Sequence, residues 1–84
     1  MTFGEALELL KDGKRISRKN WKGKKQFIEL ASMISYVNAQ GNIINAEHET
    51  IGNSAIAFHG INGVQVGWLA SQADILSEDW YEVK

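Results

Sequence analysis

The 84-residue sequence contains no cysteine and no proline and has only two histidines. The absence of cysteine excludes disulfides and thiolate metal sites together. His48 and His59 are too few for a histidine-built zinc site, so no metal and no cofactor is expected. A membrane-crossing helix needs about 20 consecutive apolar residues, and no run here approaches that length. The opening MTFGEALELLKDGK mixes acids among its apolar residues, unlike a secretory signal, so a cytoplasmic protein with no membrane partner is expected. What is present, 23% charged and 10% aromatic residues, is the composition of a folded domain rather than a disordered tail.

The length allows a single domain, residues 1–84. A chain this small buries roughly 60–65% of the surface it exposes when unfolded, so its core is thin. With disulfides and metals set aside, self-association is the remaining source of extra stability.

A net charge of −1 conceals a strong asymmetry. Residues 1–25 hold eight of the nine bases and three acids, a net +5, whereas 26–84 hold one base and seven acids, a net −6. Within 14–25, KRISRKNWKGKK, seven bases and Trp21 stand without an acid. Such a run reads as a solvated face or as an anion site, in which cations meet phosphates and the indole stacks on a base. The aromatic inside the run favours the second reading. A duplex binder normally carries a high net positive charge, because counterion release supplies its affinity. Here the acidic remainder would repel a long polyanion, so a small phosphorylated ligand is favoured. A nucleic-acid-binding accessory protein using 14–25 is the alternative.

Along the chain, Thr2 and Glu5 form a T-x-x-E capping box, and Phe3, Leu7 and Leu10 recur at helical spacing. This predicts a helix over 2–12 that ends at Gly13. Strands are expected at 14–18, as a charged edge strand, and at 26–31. A hairpin joins 34–38 to 42–46 around Ala39-Gln40-Gly41, and Glu47 to Asn53 reads as a loop. Strands 55–59 and 64–68 flank a four-residue connection, Gly60-Ile61-Asn62-Gly63, with Val64, Val66 and Trp68 alternating onto one face. Ser71-Gln72-Ala73-Asp74 is a second cap, opening a helical turn through Leu76, and 79–83 closes as a strand with Trp80 in the core. The fold class is α+β: one N-terminal helix packed on a small antiparallel sheet of about five strands, with a short helical turn before the last strand.

Catalysis needs a nucleophile beside a base, a carboxylate pair, or a metal. The serines lack a G-x-S-x-G elbow, His59 stands before a turn, His48 lies between two glutamates, and Asp74 is explained as a cap. No enzyme is expected. Gly60-x-x-Gly63 lacks the Lys-Ser/Thr of a phosphate loop. Trp68 precedes the helical turn at 71, where backbone amides attract anions, so an indole and a set of amides would serve one ligand.

Three blocks then stand out: Phe3-Gly4-Glu5-Ala6-Leu7; Gly13-Lys14-x-Ile16-x-Arg18-x-x-Trp21-x-Gly23; and Trp68-Leu69-Ala70-Ser71-Gln72-x-Asp74-x-Leu76-x-x-Asp79-Trp80. Together they resemble the phage Thoeris anti-defence proteins of the second type. The resemblance covers the first 25 residues and the last 17 in order, while 32–55 carry no motif to align. It implies a non-enzymatic sponge, acting in the host cytoplasm, that captures without cleaving a cyclic ADP-ribose isomer made by a TIR-domain defence enzyme. It also implies a homotetramer with pockets between protomers and, for some members, a separate site for cyclic di- or trinucleotide signals of CBASS defence. Carried onto this chain, Arg18 and Lys19 pair the phosphates, Arg18 through its bidentate fork. Trp21 or Trp68 stacks on adenine, Ser71 and Asp74 take ribose hydroxyls or orient amides, and Phe3 closes a wall from a neighbouring subunit.

Overall fold

In the computed structural model, which describes residues 1–21, 25–46 and 54–84, helix α1 spans Phe3–Lys11. Thr2 Oγ1 accepts from the Glu5 amide at 3.2 Å, and Glu5 Oε1 accepts from the Thr2 amide at 2.8 Å, closing the expected capping box. That bond from the Thr2 backbone holds the Glu5 carboxyl below its ordinary range. At the other end Gly13 takes φ +85°, and the Gly13 and Lys14 amides donate back to the Leu10 and Leu9 carbonyls. This Schellman closure requires the left-handed backbone that glycine tolerates.

The strands are β1 (Arg15–Arg18), β2 (Phe27–Ala31), β3 (Ile34–Val37), β4 (Ile43–Ala46), β5 (Ala55–Gly60) and β6 (Gly63–Val66). Helix α2 (Gln72–Leu76) and strand β7 (Trp80–Val83) follow. One antiparallel sheet has the order β6-β5-β2-β1-β7, and β3 and β4 form a separate two-stranded sheet. The α+β class and the five-stranded sheet are as expected. Lys22-Gly23, which the sequence marks as turn material, the expected loop at Glu47 to Asn53 and His48 fall outside the described residues.

Three strand-level expectations are corrected. The segment 14–18 is not an edge strand: β7 pairs along its outer side, Arg15 to Val83 through Arg18 to Trp80, so Ile16, Ser17 and Arg18 are buried. The connection between β5 and β6 is two residues rather than four, because Gly60 and Gly63 themselves pair and leave Ile61-Asn62 as the turn. Finally, Trp68 does not continue the alternation of Val64 and Val66. The Gly67 and Trp68 amides both donate to the single carbonyl of Ile56, at 2.9 and 3.0 Å, with Gly67 at φ +86°. This is a glycine β-bulge, and it turns the next side chain to the other face of the sheet.

α1 covers one face of the sheet. Ala6, Leu10, Ile16, Ile28 and Trp80 are fully buried between the layers, with Leu7, Leu9 and Ile56 packed around them. Trp80 is the largest of these, and its indole Nε1 donates to the Asp74 carbonyl at 2.9 Å, so it buries its apolar body without stranding its one donor. Trp80→Ala is expected to cost about 3–5 kcal/mol, measured by chemical denaturation. A well-folded Trp80→Ala protein would show that this indole is not the keystone of the core.

Candidate functional site

Arg18, at the end of β1, is a buried cation in a sheet interior, and such a charge survives only with partners. It has two. Its Nη1 donates to Asp74 Oδ1 at 2.8 Å and its Nε to Asp79 Oδ1 at 2.9 Å. The guanidinium also lies 5.8 Å from the Trp80 ring centre. The hydrogen bond to Asp79 raises Arg18 above its ordinary value against the opposing pull of burial. Burial pushes the Asp74 carboxyl up, but hydrogen bonds from the Ser71 amide and hydroxyl and from Arg18 outweigh it and hold the group low. Asp79 is held low by Arg18 first, with the Asn20 amide adding to it.

These bonds also fix the backbone after β1. Asn20 N donates to Asp79 Oδ2 at 3.0 Å, Lys19 N to the Asp79 carbonyl at 3.1 Å, and Trp21 N to the Arg18 carbonyl at 3.1 Å. The turn that leaves β1 is thereby tied to the residue that begins β7, and it delivers Trp21 to a defined place. Its ring meets Phe58 at 5.3 Å, Trp68 at 6.0 Å and Trp80 at 5.3 Å between centres, each edge to face. Phe58 and Trp68 are nearly parallel at 6.2 Å, and Phe3 tilts on Trp80 at 5.4 Å. Trp21, Phe58 and Trp68 are each half-buried, so the cluster is part core and part surface.

Of the seven residues singled out in the sequence, the structure brings Arg18, Asp74 and Ser71 into one hydrogen-bonded group. Asp74 Oδ2 accepts from the Ser71 amide and hydroxyl at 2.9 and 2.8 Å. It places Trp21 and Trp68 in contact, sets Phe3 at the buried side of Trp80, and leaves the Lys19 side chain exposed. The amides that open α2 are not open to an anion: Ser71 Oγ accepts from the Asp74 amide at 3.1 Å, and the Asp74 carboxylate closes the turn. One guanidinium against two carboxylates gives the group a formal charge of −1, which disfavours a phosphate beside it. Two participants are not among the site residues named from the sequence. Asp79 reads there as the first residue of the last strand and as part of the third motif block, and Phe58 as an ordinary member of a strand; the only available signal for Phe58 was its position two residues beyond Ile56.

Phe58 continues from the cluster into a cleft of about 400 Å³, lined by Gln26, Gly60, Ile61, Asn62, Gly63, Val64 and Gln65. Gly60 is required there, because a Cβ would lie 2.7 Å from the Phe58 ring. His59 faces the other side of the sheet, with Nε2 2.6 Å from Glu29 Oε2 and its ring stacked on Phe27 at 4.3 Å. It is held as a paired strand residue, as expected from its position before the turn. Among the described residues no cluster of His, Asp and Glu suits a metal, and no helix is long and apolar enough to cross a membrane.

The family model of the Thoeris anti-defense 2-like domain matches residues 1–83. The chain belongs to that family. It is also 37% identical over 84 residues to the Thoeris anti-defense 2 protein of Bacillus phage SP01, an alignment covering 95% of this chain and 91% of that relative. Family membership therefore spans the stretch 32–55, where no motif was legible.

Two outcomes follow from this geometry. Asp74 and Asp79 are more acidic folded than unfolded, so the stability they contribute is complete above the ordinary carboxylate value of about 4 and is lost as pH falls below it. Denaturation midpoints measured against pH should show that acid limb. Arg18→Met should lower stability by about 3 kcal/mol at neutral pH and flatten the limb. Separately, Gly67→Ala should cost about 1 kcal/mol and shift the tryptophan emission, because the left-handed bulge that aims Trp68 is lost.

Proposed function

We propose that this protein is a phage anti-defence sponge that binds a cyclic ADP-ribose isomer made by TIR-domain Thoeris enzymes and holds it without cleaving it. Family membership over residues 1–83 is the observation that carries the reading, and an anti-Thoeris role is what the family's name describes. The half-exposed indoles support it from the chemistry: Trp21 and Trp68 offer apolar edges and faces to a purine at the surface of a rigid cluster. Phe58 leads from them to the cleft, where the carboxamides of Gln26, Asn62 and Gln65 supply donors and acceptors suited to a base or ribose.

In this reading Arg18, Asp74 and Ser71 act largely by holding the Lys19–Trp21 turn and the residues after Trp68, and Lys19 meets phosphate. Phe3 contributes to a wall at a neighbouring protomer. A sponge that outcompetes a host sensor needs nanomolar affinity, about −12 kcal/mol. One exposed ion pair gives about 0.2–1 kcal/mol, so the ligand must be enclosed. An assembly of protomers, a homotetramer by analogy with the family, provides that enclosure in the host cytoplasm. Cyclic di- or trinucleotide signals of CBASS defence form a second ligand class for such an assembly.

The test is depletion and recovery. Incubation with the cyclic ADP-ribose isomers should remove one of them from a filtrate, and heating the protein should return it with unchanged mass. A hydrolysed product would make the protein an enzyme, and no depletion would end the proposal. Trp21→Ala should weaken capture at least ten-fold. Steeply salt-dependent binding of single-stranded nucleic acid, with no nucleotide capture, would favour the alternative use of the basic run 14–25.

A further inference from the structure

Five of the described residues hold a positive φ, and four of them are glycines: Gly13, Gly41, Gly63 and Gly67. The fifth is Lys25, at φ +62°. In that conformation a Cβ crowds the following carbonyl, at a cost that glycine avoids. Side chains held there against the cost persist only where the surroundings fix the backbone, and such positions gather at binding sites.

The backbone at Lys25 is fixed from the next residue. Ser17, buried on β1, donates its hydroxyl to the Gln26 carbonyl at 2.6 Å, and Phe27 then enters the ladder opposite His59. The chain must therefore turn just before Gln26. Glycine would make that turn without strain, so the lysine is explained by its side chain and not by the turn.

Nothing within the chain claims that side chain. Lys25 is exposed, and among the described residues no carboxylate pairs with its ammonium. Arg18, by contrast, is already shared between Asp74 and Asp79. The cleft that begins at Gln26 and Phe58 has no charged side chain among its lining residues, so Lys25 is the cation next in sequence to a neutral cavity. Lys19 stands at the other side of the same connection. β1 ends at Arg18 and its antiparallel neighbour β2 begins at Phe27, so Lys19 and Lys25 flank one end of the strand pair. Two ammonium groups brought to one end repel unless an anion lies between them.

We propose that Lys25 binds phosphate, gripping together with Lys19 the pyrophosphate of a nucleotide whose base or ribose enters the Phe58 cleft. An ammonium is a compact charge on a flexible stem, so it meets a phosphate from a turn without the fixed fork of a guanidinium. This rests on the nucleotide reading above and deepens it by naming the second contact of the anion.

The test is capture of the cyclic ADP-ribose isomer by equilibrium dialysis, beside the denaturation midpoint of each protein. Lys25→Gly removes the cation and relieves the backbone, so capture should weaken about ten-fold, the worth of one charge-assisted hydrogen bond, while the midpoint rises. Lys25→Met keeps the Cβ and the stem, so it should lose as much capture with the midpoint of wild type. Lys25→Arg should restore most of the capture. Lys11→Met, on α1 and paired with Glu8, should leave capture as in wild type. Lys25→Met decides the matter if the glycine variant folds poorly.

Capture by wild type that both the glycine and methionine variants retain overturns the role of Lys25 and leaves the proposed function standing. A wild type that takes none of the cyclic isomers overturns the proposed function. ADP-ribose, an open pyrophosphate nucleotide, is then the probe: its loss in the same two variants sustains Lys25, and its equal binding, or none by wild type, overturns it.

Discussion

A positive charge sits inside this small sheet, and the geometry around it follows from keeping that charge satisfied. Arg18 lies on β1, between β2 and β7, where water cannot solvate it. Asp74 comes from α2 and Asp79 from the residue before β7, so the two bonds that neutralise the guanidinium also join three segments distant in sequence. Asp74 does three things at once: it caps α2, it binds Arg18, and its carbonyl accepts from the Trp80 indole. Loss of any one disturbs the others, because buried polar networks are strong only when every member is satisfied. The clamp decides where Trp21 stands, and Trp21 is the ring that touches three of the other aromatics.

What was legible in the sequence was local. Thr2 with Glu5 and Ser71 with Asp74 announce helix starts because the bonds they make span three residues, and both boxes form as written. Gly13 announces a helix end for the same reason. The position of β1 was not legible, since a basic tetrapeptide reads as an edge strand until its partner, more than sixty residues later, is known. Arg18 was singled out among the seven cations, but as a partner for phosphate; nothing near it reveals that its carboxylates lie at 74 and 79. The Gly67 bulge broke a pattern that period-two alternation had read correctly up to Val66. The candidate site was therefore half visible: its indoles and the clamp residues Arg18, Asp74 and Ser71 were named, but Asp79 and the division into surface and support were not.

That division matters for how the family's chemistry is read here. A guanidinium already shared by two carboxylates is a poor anchor for a phosphate, whereas an exposed lysine on a turn that the clamp holds still is a better one. The aromatic cluster is likewise stiffened from below by Trp80 and opened to the surface at Trp21, Phe58 and Trp68. Rigidity of this kind lowers the ordering cost of capturing a ligand.

The pairing of β1 with β7 has a consequence during synthesis. Ile16 aligns with Glu82, so the strand at the middle of the sheet acquires its second neighbour only when residues 80–83 have left the ribosome. Until then Arg18 lacks both carboxylates, and the groove beneath α1 lacks Trp80, its largest occupant. The interior of the sheet therefore closes only once residues 80–83 are available to pair. Contacts of such long sequence separation form slowly, so the β1–β7 seam closes after the local caps and turns have formed.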